Sequence, residues 1–302
     1  MIKIKNKQGD SKMKKIVAFT LLLCMVLALS ACGDVKITMQ EVYDAAQPEA
    51  VLKNHESVYV RSEVDGEVLG ETYLTKDYVY DYIYDEQFSW VELITDDASY
   101  RCDGDDYVYY VYVTPDGVTN FASEREKFSA SVIVTEDTAD EIIESVSKKD
   151  GRITVTSSMS EKTLENMAEF GMISGRAEYV LDAKTREILS ITSDAVYEDG
   201  TSFSVYAEVT YDAPIPERLK TLLAYESQTE NLRNVTIVIN PATEKEETKT
   251  IEVPKGLIMG FEYDDALADA VAFYTDAACT KDYDPYANTD SDLTIYVKWT
   301  NS

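Results

Sequence analysis

The sequence predicts an α+β fold, in which an antiparallel β-sheet carries helices against one face and a smaller β module follows. Three observations lead there. A helix-start signal precedes a long series of apolar runs with a period of two, tight-turn signals join those runs in tandem, and a short helical stretch interrupts them before the strands resume. A sheet that is apolar on one face has to be covered, and helices with a single apolar stripe provide that cover.

The first thirty-odd residues stand apart from this pattern. Lys12, Lys14 and Lys15 form a basic flank, Ile16 to Leu29 is almost wholly apolar, and Leu29-Ser30-Ala31-Cys32 follows. An apolar core of about 7–15 residues behind a basic flank is the signature of a secretory signal, and it is shorter than the ~20 residues a spanning helix needs. Leu29, Ser30, Ala31 and Cys32 resemble a lipobox, the recognition site of the lipoprotein signal peptidase. The resemblance implies lipid on the Cys32 sulfur, cleavage after Ala31, and a body held on the extracytoplasmic face of a bacterial membrane. Two or three acyl chains at about 0.8 kcal/mol per buried methylene anchor far more firmly than one myristoyl chain. Met13-Lys14-Lys15 also reads as a start, so residues 1–12 stand as an alternative extension.

Charge narrows the partners. The chain has 28 basic and 56 acidic residues; the first 31 residues hold six lysines and one aspartate, which leaves 22 against 55 and a net charge near −33. Such a surface repels nucleic acid, which excludes that class of partner. Of the four cysteines, Cys24 leaves with the signal and Cys32 is lipidated, so Cys102 and Cys279 remain and are expected as thiols. No CxxC or Cys/His metal pattern occurs, and no cofactor is implied.

The elements follow in order. Thr38-Met39-Gln40-Glu41 is a capping box, and Pro48 restarts that helix with Val51 and Leu52 on its apolar side. Val58 to Val64 alternates, Asp65-Gly66 turns the chain, and Glu67 to Leu74 returns. Tyr78, Tyr80, Tyr82 and Tyr84 recur at every second position, opposite Val79, Asp81, Ile83 and Asp85. Trp90 to Ile94 and Tyr107 to Val113 are further strands, and Pro115-Asp116-Gly117 closes the group. A helix is expected over Asp140 to Val146, where Ile142, Ile143 and Val146 share a face, then a strand over Arg152 to Met159. Ser160 caps a helix carrying Leu164, Met167 and Phe170 before Gly171. Strands over Gly175–Leu181, Ile188–Tyr197 and Ser202–Tyr211, a helix around Leu219 to Leu223 and a polar linker complete this part.

This order, together with the hairpin Leu181-Asp182-Ala183-Lys184-Thr185-Arg186-Glu187-Ile188, resembles the LolA-like and LppX-like lipoprotein fold. The resemblance implies a strongly curved antiparallel sheet, a half-barrel with helices on its concave face, and an amphiphilic ligand in the gap between them. The family's usual glycine after the Lys-Thr of this turn is Arg186 here. Further on come Thr236–Ile239, Thr250–Gly256, Phe273-Tyr274-Thr275-Asp276, Cys279-Thr280 and a terminal Tyr296-Val297-Lys298-Trp299. These resemble a Listeria–Bacteroides repeat, which implies a small β-grasp-like domain used as a surface spacer or interaction module. The expected organisation is signal 1–31, lipidated tether 32–36, curved-sheet domain 37–225, linker 226–232 and β-grasp-like module 233–302.

Little in the chain points to catalysis. The one histidine, His55, has no nucleophile motif near it and is expected as a solvated junction residue. With 55 acidic residues, carboxylate pairs arise at any spacing by chance, so an envelope hydrolase stands only as a third reading. Asp282, Asp284, Asn288, Asp290 and Asp292 form the best calcium candidate, but the loop lacks the glycine and terminal glutamate of an EF-hand, and turn chemistry explains it. The ladder Tyr78, Tyr80, Tyr82 and Tyr84 offers apolar area with polar tips, either as a ligand or partner face or as ordinary cross-strand packing. Two functional readings therefore lead: a non-enzymatic lipoprotein holding an amphiphile, or a surface protein presenting faces to a cell-surface or envelope partner.

Overall fold

The computed structural model describes residues 35–84, 90–103, 106–110, 113–114, 117–118, 120–227, 230–260, 271–287 and 289–299. Helices α1 (Met39–Ala46) and α2 (Pro48–Val51) open the described chain. Eight strands follow: β1 (Ser57–Val64), β2 (Glu67–Thr75), β3 (Tyr78–Ile83), β4 (Trp90–Thr95), β5 (Ser99–Asp103), β6 (Asp106–Tyr110), β7 (Val113–Thr114) and β8 (Gly117–Val118). Then come α3 (Phe121–Ala130), β9 (Ile142–Lys149), β10 (Arg152–Ser158), α4 (Glu161–Met167), β11 (Met172–Asp182), β12 (Ile188–Tyr197), β13 (Ser202–Tyr211) and α5 (Glu217–Glu226). The last strands are β14 (Leu232–Ile239), β15 (Glu247–Pro254), β16 (Ile258–Gly260), β17 (Val271–Tyr274) and β18 (Leu293–Trp299).

The main sheet has the order β16-β6-β5-β4-β3-β2-β1-β13-β12-β11-β10-β9. Its edges differ, so the sheet is not closed, and every pairing but the parallel β16–β6 contact is antiparallel. This is the α+β half-barrel that the sequence predicts. Strands β14, β15, β17 and β18 form a second, mixed sheet in the order β15-β14-β18-β17, with β14 and β18 parallel at its centre. The two sheets are joined through the backbone, because β16 lies between β15 and β17 in sequence yet pairs with β6.

Alternation along β1 to β5 feeds two separate cores. Val58, Val60, Leu74, Val79 and Ile94 point to a core that includes Met39, Val42 and Ala46 of α1, Val51 and Leu52, Ile133, Val134, and Val155, Tyr179, Leu181 and Val209 of the later strands. Tyr73, Tyr80, Tyr82, Val91, Leu93, Tyr100 and Cys102 point the other way. They share a core with Leu219 and Leu222 of α5 and with Val235, Ile237, Val253, Met259, Ile295 and Val297 from the C-terminal strands. The face under α1 and α2 is the inner face below, and the opposite one the outer face. Cys102, on the outer face, and Cys279, in the loop after β17, are not joined by a disulfide.

The start of the helix series corrects one expectation. Residues 142–149 are strand β9, not a helix over 140–146. The register shifts between Thr156 and Ser157 of β10, so that Ser145 faces Thr156 and Ile143 faces Ser157, with Glu144 as the extra residue of a bulge. A bulge places residues three apart on one face. Ile143 and Val146 both reach the inner core by this route, and their spacing imitates a helix. The helix around Leu164 is present as α4, with the Ser160 hydroxyl accepting from Thr163 N (3.2 Å), and a short 3-10 turn over Ala168–Phe170 follows it and ends at Gly171 with φ 76°.

The β11–β12 turn is built on Asp182, whose Oδ1 accepts from Lys184 N (2.7 Å) and Thr185 N (2.8 Å). Arg186 then adopts φ 70°. A left-handed conformation costs a residue with a Cβ about 1–2 kcal/mol, and glycine returns about 0.5–1 kcal/mol of that through its freer unfolded chain. Arg186→Gly is therefore expected to stabilise the protein by roughly 0.5 kcal/mol, read as a raised urea midpoint with an unchanged slope. A lowered midpoint would show that the guanidinium contributes more than the backbone strain removes.

His55 also departs from expectation. Its imidazole is held between carboxylates, with Nδ1 2.8 Å from Asp212 Oδ2 and Nε2 2.9 Å from Glu187 Oε1, and its ring centroid lies 4.6 Å from that of Tyr211. Both nitrogens can donate only in the imidazolium form. The hydrogen bonds to Asp212 and then Glu187 raise the His55 pKa above its ordinary 6.5, and the bond from His55 lowers that of Asp212 below 3.8. The stabilisation from the histidine is complete below pH 6.5 and disappears as pH rises through the raised native value. The share from Asp212 is complete above pH 3.8 and disappears as pH falls through its lowered native value. The stability advantage over His55→Gln should thus be full at pH 5 to 6 and small at pH 9, as measured by urea unfolding at both. An advantage that does not change with pH would mean that the ring acts by packing alone.

Candidate groove on the helix-covered face

Three segments that are distant in sequence meet at one opening of the inner face. The first is the α1–α2 junction, where Gln47 ends α1 by donating its backbone N–H to Asp44 O (3.3 Å) and Pro48 starts α2 at its first position. Proline is tolerated there because its missing N–H would have no helical partner. The second is the β2–β3 turn, in which Thr75 Oγ1 accepts from Asp77 N (3.2 Å) and Tyr78 N (3.1 Å). The third is the last turn of α3, a helix capped by Asn120 Oδ1, which accepts from Ser123 N (3.3 Å).

Between these segments lies a groove of about 780 Å³, lined by residues 47–49, 52 and 53, 74–76, and 125, 126, 129 and 130. Its volume lies within the ~300–1,000 Å³ typical of small-ligand sites. The floor is apolar, made by the buried Leu74 and Leu52 with Pro48 and Ala130 beside them. Ser129 is 4% exposed, and its hydroxyl has no hydrogen-bond partner among the described residues. The rim carries Lys53, Lys76 and Arg125, with Glu49 and Glu126. Arg125 is fixed in place, its Nε donating to Asp96 Oδ1 (2.6 Å) and its Nη1 to the Lys76 carbonyl (3.0 Å).

The tyrosine ladder lies elsewhere. Tyr78, Tyr80 and Tyr82 face the outer core, where Tyr80 sits opposite Tyr73 and Leu93 across the strands. Tyr80 and Tyr82 are 1% and 2% exposed, so their rings fill space between the sheet and its cover. Arg218 of α5 stacks over the Tyr82 ring at 4.3 Å, a cation–π contact. Tyr84 is the exposed member, its ring edge-on to Tyr82 at 4.1 Å between centroids.

The aspartates of the calcium candidate serve the local backbone. Asp284 Oδ1 accepts from Tyr286 N (3.0 Å), and Asp292 Oδ1 accepts from Asn234 N (2.8 Å), tying the start of β18 to β14. The backbone of Asp282 bridges to Tyr274, and the charge of Asp290 supports the buried Arg233 guanidinium, whose Nη2 donates to the Leu257 carbonyl (2.8 Å). Asn288 lies outside the described residues, and among the described residues no three Asp, Glu, His or Cys side chains gather around a metal-sized space. Leu29, Ser30, Ala31 and Cys32 also lie outside the described residues. No described helix is long and apolar enough to cross a membrane.

The groove was not read from the sequence, because it is assembled from three unlinked segments and α3 was not anticipated. The available signal was Asn120 one residue before Phe121, with Phe128 a further two turns on.

No family model and no curated protein matches the chain. Among solved structures it is similar to LprF from Mycobacterium bovis, with 13% identity over 59% of this chain and 94% of that one and a TM-score of 0.34. It is also similar to the Mycobacterium tuberculosis lipoprotein LppX (12% identity, 58% and 96% coverage, TM-score 0.28) and to MucB (12% identity, 59% and 60% coverage, TM-score 0.24).

Proposed function

We propose that this chain is a non-enzymatic lipoprotein, fixed to the extracytoplasmic face of a bacterial membrane through Cys32, that holds an amphiphile in the groove between its sheet and helices. The observation that carries the reading is the apolar floor at Leu52 and Leu74 in an open groove of about 780 Å³ beside α1 and α2. Binding apolar material needs a concave apolar surface with a few polar groups, and the groove supplies both. Native mass spectrometry of the mature chain carrying Cys32→Ser should show a co-purifying ligand of lipid mass, and bare protein alone would count against the reading. Labelled fatty acid fed to cells should enter the wild-type protein and not the Cys32→Ser variant.

A second reading as a surface interaction protein draws on the far end of the main sheet. Ile142, Phe170 and Ile173 are 55%, 68% and 53% exposed there, and large exposed apolar side chains mark contact surfaces. Under this reading the module over 233–302 acts as a surface spacer or contact domain.

A further inference from the structure

We infer that the groove selects an amphiphile with an anionic headgroup, gripped by Lys53, Lys76 and Arg125 at the rim while its apolar part lies on Leu52 and Leu74; this rests on the reading of the groove as a ligand site. Charge gives the first ground. Acidic residues outnumber basic ones 56 to 28 in the chain, yet the rim of this groove carries three cations to two carboxylates. Among the described residues neither Lys53 nor Lys76 enters an ion pair, whereas eight other bases do. Two cations without ion-pair partners beside the fixed Arg125 make this rim a local attraction for an anion on an otherwise acidic surface.

Ser129 gives the second ground. Burying a hydroxyl without a partner is unfavourable, and Ser129, which lines the groove from the last turn of α3, has its oxygen closed off from solvent and without a partner among the described residues. Rotation about its Cα–Cβ bond into the groove would let it donate to a headgroup oxygen that the rim cations hold. Arg125 is less free to move than the lysines, because Asp96 and the Lys76 carbonyl already take its Nε and Nη1. It provides a fixed positive point, and the two lysines close around the ligand.

The test compares 12-carbon probes that differ only at the head, kept below the concentrations at which they form micelles and read by calorimetry with the mature Cys32→Ser chain. Dodecyl phosphate and dodecanoate should bind about tenfold more tightly than dodecanol or dodecyltrimethylammonium. Lys53→Gln with Lys76→Gln should remove that preference and leave the affinity for dodecanol unchanged, and Ser129→Ala should weaken the anionic probes by a few fold. Equal affinity for all heads, or a preference that survives the double lysine variant, overturns the inference while leaving the groove as a ligand site. Inorganic phosphate binding as tightly as dodecyl phosphate also overturns it. If none of the 12-carbon probes binds, the reading of the groove fails as well.

Discussion

A chain ending at Ser227 is expected to aggregate. The outer face of β2 to β5 presents Tyr73, Tyr80, Tyr82, Val91, Leu93 and Tyr100 to a core whose other wall comes partly from Val235, Ile237, Val253, Met259, Ile295 and Val297. Removing those strands uncovers the ladder and strips β6 of its parallel neighbour β16. Each fully buried residue of this size contributes about 1.5–3 kcal/mol, so uncovering four of them is comparable with the ~5–15 kcal/mol that holds a typical domain together. An exposed sheet edge beside an exposed apolar face invites pairing between copies. Size-exclusion chromatography should show aggregates, and an apolar dye should bind the truncated chain strongly and the full chain weakly. A truncated chain that remains monomeric, with its thermal midpoint unmoved, would show that the two sheets fold independently and that the shared core contributes little.

Much of the sheet was legible because period two is a local property. Residues 58–64, 67–74 and 78–83 alternate as read, and the tight turns at Asp65-Gly66 and Glu198-Asp199-Gly200 adopt positive φ at Asp65, Gly66 and Gly200. What covers each face is not a local property. Tyr78, Tyr80 and Tyr82 show in sequence that one face is aromatic, but their cover comes from residues about 140 to 220 positions later. The run Trp90-Val91-Glu92-Leu93-Ile94 carries a hint, since apolar residues on both sides of a strand indicate burial on both faces. The bulge at Glu144 was illegible for a different reason. One extra residue changes the spacing of Ile143 and Val146 to that of a helix, and only the partner strand reveals it. Lys53, Lys76 and Arg125 meet only once β2, β3 and the helices are in place, so the rim left no motif to find.

The second large effect is expected on the inner face, where strands β3 to β5 carry an ionic group beside the apolar core. Glu92 Oε1 accepts from Ser99 Oγ (2.8 Å) and from Arg101 Nη2 (3.3 Å), and the two charged side chains are 9% and 13% exposed. Asp81 faces Glu92 across the strands and accepts from Thr72 Oγ1 (2.7 Å). Burial pushes the Asp81 carboxyl above its ordinary range against the pull of the Thr72 hydroxyl, and the Glu92 charge adds to the rise. Arg101→Met keeps much of the volume of the side chain and removes the cation paired with Glu92. Stranding one member of a buried pair costs about 3–5 kcal/mol, and partial exposure of Arg101 places this loss near the lower end, about 3 kcal/mol. A protein of this size should then melt roughly 6–12 °C lower at neutral pH. Glu92→Gln in the same chain should recover most of the deficit, because it removes the carboxylate that Arg101 pairs with. A deficit that Glu92→Gln does not reduce would mean that Arg101 acts through packing.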